Sequence, residues 1–223
     1  MKLITTYRQT ACRLLAVLFF LCLFAPMAAG QDNWQDHCAT RIANQNGGDG
    51  TSWDDAIKIA SAKELAYFAQ QVNSNQSINY GDGKSIGPTD KGQAGGFMSY
   101  YFALSADIDL SNYDWTPIGN TTSFNGNFDG RGHCVNGLKV MKVETFSGGF
   151  AYAGLFGYTY VGILRNLGVR LADAGIQVNS TDGTVYAGGI AGYAHKIFNC
   201  YVVGEGRIEI HSSSKSSNVV GGI

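Results

Sequence analysis

The chain has 223 residues, 30 of them Gly and 3 of them Pro, with 45% hydrophobic and 15% charged side chains. That apolar content excludes a disordered tail, and glycines without a triplet period exclude a collagen helix. The formal net charge is −1; setting aside Lys2, Arg8 and Arg13, which lie in a targeting-type segment, leaves 13 basic against 17 acidic residues, so no cationic surplus remains to grip a nucleic-acid backbone.

Residues 1–30 read as a secretory signal peptide. Lys2, Arg8 and Arg13 precede an apolar run from Leu14 to Ala25, and Ala28-Ala29-Gly30 offers the small residues a signal peptidase reads. Twelve apolar residues are fewer than the roughly 20 needed to span a bilayer. No second run follows, which predicts an exported protein whose mature chain has no membrane helix. Cys22 follows Phe19-Phe20-Leu21 and lacks the small residue that precedes a lipidated cysteine. The mature chain keeps Cys38, Cys134 and Cys200, an odd number for an oxidising compartment, so at least one thiol stays free and the pairing of the others is open. No CxxC spacing accompanies them, which argues against structural zinc.

Residues 31–98 form a distinct N-terminal region with one helix near 61–73. Ser61 and Glu64 make a capping-box pair, and Leu65, Phe68, Ala69 and Val72 share one helical face. Ile57-Lys58-Ile59 alternates like a strand before it. The Asn-, Gly- and Ser-rich stretch 73–96 predicts a long loop. From residue 99 no helical period survives, and short alternating runs separated by glycines predict an all-β region to residue 223.

Internal repetition dominates that region. The pattern apolar-x-x-apolar-x-Val recurs in Val135, Leu138 and Val140, in Leu164, Leu167 and Val169, and in Ile197, Cys200 and Val202, with steps of 29 and 33 residues. Upstream of the last two lies a shared block, Gly154-Leu155-Phe156-Gly157-Tyr158 and Gly189-Ile190-Ala191-Gly192-Tyr193. A third copy opens at Gly222-Ile223, which predicts a longer parent protein and an open last repeat. Strands this short bury an apolar face only by stacking on their equivalents, so the pattern predicts a parallel β-helix or solenoid, with the N-terminal region as its cap. Equal positions should stack: Val135 with Leu164 and Ile197, Leu138 with Leu167 and Cys200. Gly154, Gly157, Gly189 and Gly192 should supply positive φ at the corners. Asn166 and Asn199 share one position and should form an amide ladder, with Gly137 holding that place in the first unit.

The blocks at 154–169 and 189–202 resemble the GLUG repeat, a Gly-Leu-x-Gly core found in large secreted and surface proteins of bacteria, adhesin-like proteins among them. Gly50-Thr51-Ser52-Trp53, Ala106-Asp107-Ile108-Asp109-Leu110, Trp115-Thr116-Pro117-Ile118-Gly119 and Phe128-Asp129-Gly130-Arg131-Gly132-His133 look like the lead-in to such repeats. The resemblance covers most of residues 50–223, and Gly189-Ile190-Ala191-Gly192 departs from the core conservatively. It implies a β-solenoid displayed outside the cell, at the bacterial surface or beyond it, and no particular ligand.

Catalytic patterns are thin. The histidines at 37, 133, 195 and 211 form no HExxH, Gly83-Lys84-Ser85 lacks the first glycine and the strand of a phosphate loop, and no Gly-x-Ser-x-Gly elbow occurs. Asp107 and Asp109 alternate onto one side of a strand with Asp114 nearby, a weak candidate site for a hard cation. Tyr158 and Tyr193 hold one repeat position, flanked by Tyr152, Tyr160, Tyr186 and Tyr201. Such a row serves either as packing or as a binding surface, and the two tyrosines are the candidate ligand contacts. The expectation is a structural display or adhesion module with no cofactor and no catalysis of its own, meeting an extracellular protein or glycan. The alternative is a polysaccharide-processing or polysaccharide-binding β-helix protein.

Overall fold

A computed structural model describes residues 32–89, 95–143, 145–146, 149–180, 183–212 and 218–222. The signal-type segment 1–30, Glu144, Asp182 and Ile223 of the third Gly-Ile block lie outside the described residues. Asp32–Ile223 forms one compact unit.

In chain order the elements are a 3-10 turn at Trp34–His37, β1 (Ile57–Ile59), α1 (Ala62–Asn73), β2 (Ile78–Tyr80), β3 (Lys84–Ile86), β4 (Tyr101–Leu104), β5 (Ile108–Asp109), β6 (Asn127–Asp129), β7 (Cys134–Val140), β8 (Thr145–Phe146), β9 (Phe150–Ala153), β10 (Phe156–Arg165), β11 (Gly168–Ser180), β12 (Thr184–Ala187), β13 (Ala191–Phe198), β14 (Tyr201–Val203), β15 (Ile208–Ser212) and β16 (Asn218–Val220). The chain is β-rich, and its strands collect into three unclosed sheets whose pairs are almost all parallel. The first runs β1-β4-β6-β10-β13 and the second β14-β11-β7-β5, with β15 also on β11; the third runs β16-β12-β9-β8. The antiparallel pairs are β8 on β9 and a separate hairpin of β2 with β3.

Helix α1 forms as its pattern predicts. Ser61 is the N-cap, its hydroxyl accepting from the Glu64 N–H, and Leu65, Phe68, Ala69 and Val72 are buried. The capping box is only half made. Glu64 reaches past the cap: its two oxygens accept from the N–H groups of Ala60 at 2.8 Å and Ala43 at 2.7 Å, so it ties the preceding loop to the helix. The stretch 73–96 is not one loop, because Ile78 and Ile86 face each other across the β2–β3 hairpin, turned at Gly81-Asp82-Gly83 with both glycines at positive φ. Three-residue strands carry too little alternation to stand out from an Asn- and Gly-rich background. The division at residue 98/99 does not separate two sheets either: β1 pairs with β4 in register, Ile57 to Phe102 and Ile59 to Leu104.

Stacking of equal positions holds for the later units and fails for the first. Leu164 pairs with Ile197 and Val169 with Val202, as the repeat predicts. Val135 pairs with Val169, however, and Leu164 with Phe128; Leu138 pairs with Leu171, leaving Leu167 at a corner between β10 and β11. The corner Gly130-Arg131-Gly132 is longer than its counterparts at Asn166 and Asn199, which shifts the first unit and makes Val135 imitate Leu164 in sequence alone. The true apolar column is Ile57, Phe102, Phe128, Leu164 and Ile197, all fully buried except Ile197, which is half-buried. Cys200 is likewise half-buried against the core rather than enclosed.

Glycines of the repeat blocks act through space. Gly157, Gly189 and Gly192 do not have positive φ. A Cβ at Gly157 would lie 2.7 Å from the Gly119 carbonyl oxygen, and one at Gly192 2.7 Å from that of Tyr186, so these positions let neighbouring backbones approach. The left-handed corners belong to Asn166 (φ 51°) and Asn199 (φ 49°). Their ladder forms: the Asn199 amide donates to Asn166 Oδ1 at 2.9 Å, and the Asn166 amide donates to Asp129 Oδ1 at 3.0 Å. Asp129, not Gly137, is its first member.

Candidate functional site

The aromatic face is built by strand alternation. In β9 and β12, Ala151 and Ala153, Val185 and Ala187 are buried, so Tyr152 and Tyr186 between them turn to the opposite face. They pair in register, and their rings stack at 5.4 Å between centroids and 16° between planes. Tyr158 and Tyr193 pair in the adjoining sheet with centroids 5.1 Å apart. Tyr152 lies 4.8 Å from Tyr158, and Tyr186 meets Tyr193 edge-on at 6.2 Å, so the four phenols form one cluster.

Two further rings extend it. Phe150 sits 6.4 Å from Tyr152, and Tyr160 sits 6.2 Å from Tyr158. Tyr160 and Val161 are thrust outward because β10 carries extra residues there: Thr159 faces Ala194, yet Ile163 already faces Lys196. Exposure rises from 7% at Tyr152 to 41% at Tyr193 and 57% at Tyr160. Burial, with the neighbouring phenols Tyr158, Tyr186 and Tyr193, pushes the Tyr152 hydroxyl up to about 12, and burial also raises Tyr158. Both hydroxyls are therefore neutral at physiological pH, able to donate and accept hydrogen bonds. Stacking covers the ring faces of Tyr152 and Tyr186 with each other. Tyr160 and Tyr193 are the most accessible rings of the cluster.

The three carboxylates proposed for a cation do not converge. Asp107, just before β5, and Asp109 within it are both exposed on either side of buried Ile108, but each is used locally. Asp107 Oδ1 accepts the Cys134 N–H at 2.9 Å and lies 3.2 Å from His133 Nδ1; the first bond chiefly, then the second, holds the carboxyl below its ordinary range. Asp109 accepts the Ser111 N–H at 2.9 Å and is lowered by it. Asp114 is buried on another segment, raised by that burial, with Lys139 Nζ 4.0 Å away. Among the described residues no three His, Cys, Asp or Glu side chains are grouped as a metal would need. Cys38, Cys134 and Cys200 form no disulfide, and burial raises all three thiols, which makes them poor nucleophiles.

One constellation escapes sequence reading. Arg165 places its Nε and Nη2 at 2.9 Å and 2.8 Å from Asp129 Oδ2, while its guanidinium lies 3.6 Å over the Trp53 ring. Arg131 donates to the Trp53 carbonyl at 3.2 Å. The group rivets the N-terminal segment onto the sheets, and no repeat position read from the sequence marks it.

No protein-family model, no curated protein and no solved structure matches the chain. No helix among the described residues is long and apolar enough to cross a membrane.

Proposed function

We propose that the chain is an exported β-solenoid of GLUG type that works outside the cell as a display or adhesion module, without catalysis of its own. The observation that carries this reading is the in-register column from Ile57 through Phe102, Phe128 and Leu164 to Ile197, with the Asp129–Asn166–Asn199 ladder at its corner. A stack of parallel strands locked at each step is a stiff support and suits presentation of a surface. Three carboxylates near the stack are engaged locally. Asp129 is tied to Arg165, Asp107 to His133 and Cys134, and Asp109 to Ser111, so none is set opposite another as an acid and base pair. Contact with an extracellular protein or glycan falls to the aromatic face, through Tyr160 and Tyr193.

Two measurements test the reading. A reporter joined after Gly30 should be exported, and the purified chain should bind members of an array of immobilised glycans and matrix proteins, with Tyr160→Ala and Tyr193→Ala weakening that binding. Release of sugar ends from a polysaccharide, abolished by Asp107→Asn or Asp109→Asn, would replace it with the polysaccharide-processing alternative.

A further inference from the structure

Residues 32–37 lie as a strap on residues 110–115. Trp34 donates its N–H to the Asp114 carbonyl at 3.0 Å and Asp114 donates its own to the Asp32 carbonyl at 3.0 Å, so the two segments meet in a parallel bridge. The Trp34 side chain is buried, and its indole N–H donates to the Leu110 carbonyl at 3.0 Å. The His37 ring lies flat on Tyr113, with 3.9 Å between centroids and 14° between planes, and Trp34 meets the same ring edge-on at 4.9 Å. Two titratable atoms at this seam are buried without a hydrogen-bond partner, His37 Nε2 and Asp114 Oδ1. Asp32 Oδ2 stands 3.9 Å from the first and Lys139 Nζ 4.0 Å from the second, both beyond hydrogen-bond distance.

We propose that this strap is a pH-responsive latch, held more tightly in mild acid than at neutral pH. Burying a carboxylate oxygen that no donor reaches is costly, and a proton on Asp114 removes the charge. Burial accordingly holds the Asp114 carboxyl above its ordinary range, against the smaller opposing pull of Lys139. A group raised in this way stabilises the fold in full below its unfolded value, and the contribution is lost as pH rises through the folded value. His37 works in the same direction. In a charged imidazole both nitrogens are donors, so Nε2 carries a hydrogen for the Asp32 carboxylate while the positive ring lies over the Tyr113 face. The other titratable groups around the seam are engaged or outside it. Asp36 Oδ2 accepts the Asn33 N–H at 3.4 Å, Asp109 accepts from Ser111, and burial keeps the Cys38 thiol neutral. On α1, which packs against the strap, the charged side chains are Glu64, taken by Ala43 and Ala60, and exposed Lys63. The latch rests on this seam alone and is independent of the extracellular role.

Asp107 and Asp109, whose carboxyls are lowered, pull the fold as a whole the opposite way, so the latch has to be read locally. Amide hydrogen exchange of the purified chain does this, with each rate divided by the intrinsic rate of that amide. Between about pH 7.5 and about pH 4.5 the N–H groups of Trp34 and Asp114 should gain roughly fivefold protection. The Leu65 N–H of α1, bonded to the Ser61 carbonyl, should show no such gain. Asp114→Asn, which removes the charge and keeps the shape, should take away most of the rise, and adding His37→Gln should abolish it. Protection that is flat or falls toward acid in the parent chain, an equal rise at Leu65, or a rise that survives the double substitution would each overturn the proposal. The parent profile decides the matter by itself if a variant does not fold.

Discussion

The same column of side chains ends in two unlike ways. Ile57 and Ile59, in the first strand, are fully buried beside the loop that bonds to Lys58 of β1 through Asn44 and to Ala56 just before it through Gly48, whereas Ile197, Cys200 and Val202, in the last described strands, are only half-buried. The residue types are comparable, and among the described residues the difference is what packs on the far side of each strand. In stacked parallel strands each apolar side chain is enclosed by the strand before and the strand after, so stability accumulates at interfaces rather than within strands. The covered end also meets its polar needs with side chains, Asn44 for Lys58 and Glu64 for Ala43 and Ala60.

The sharpest break of this comparison comes from two phenylalanines. Phe68 of α1 is fully buried, with the rings of Phe102, Phe124 and Phe128 at 4.6, 5.4 and 6.1 Å. Phe68→Ala should cost about 3–5 kcal/mol in denaturant unfolding. Phe198→Ala in β13, where the ring is exposed, should change stability by no more than about 0.5 kcal/mol. Equal losses at the two sites would mean that the last strands are as enclosed as the first.

A smaller contrast lies along the ladder. Asn166 bonds both Asp129 and Asn199 from a left-handed corner, while Asn199 bonds only Asn166. Asn166→Ala should cost about 2 kcal/mol and Asn199→Ala about 1 kcal/mol, since both meet the same backbone strain but only the first breaks the ladder in its middle. Asn199→Gly should recover most of its loss in thermal melts, and Asn166→Gly only part.

The smallest effect appears at high pH. The unfolded Tyr152 phenol ionises near 10 and the folded one near 12, so the folded state holds a proton that the unfolded state has lost between those values. The contribution is present in full below pH 10 and fades as pH rises toward 12. Tyr152→Phe should flatten that fall in a series of melting curves. An unchanged slope would mean that the stacked tyrosines are open to solvent.

Several elements were legible from the chain alone because their signals are local. The Ser61 cap and the 3.6-residue spacing of Leu65, Phe68, Ala69 and Val72 fix α1, and the two Gly-x-x-Gly-Tyr blocks fix which strands are equivalent in the last two units. Other features were hidden because they depend on what lies across a sheet. The longer corner at Gly130-Arg131-Gly132 moved the first unit out of the apparent period, so Val135 matched Leu164 in pattern but Val169 in space. The aromatic site was half legible: the shared position of Tyr158 and Tyr193 is in the repeat, but their closure with Tyr152 and Tyr186 needs two sheets to meet at a corner.

By itself, then, the amino-acid sequence determined the β-rich character, the one amphipathic helix, the repeat step of the later units and the amide ladder between Asn166 and Asn199, because periodicity and spacing record which side chains must face alike. Only the tertiary structure decided that Asp129 starts the ladder, that Asp107, Asp109 and Asp114 go separate ways, that Gly157 and Gly192 of the repeat blocks serve close backbone approach rather than left-handed turns, and that the N-terminal region covers the β1 edge. Each of these depends on contacts between residues dozens of positions apart, where a longer corner changes which positions pair beyond it.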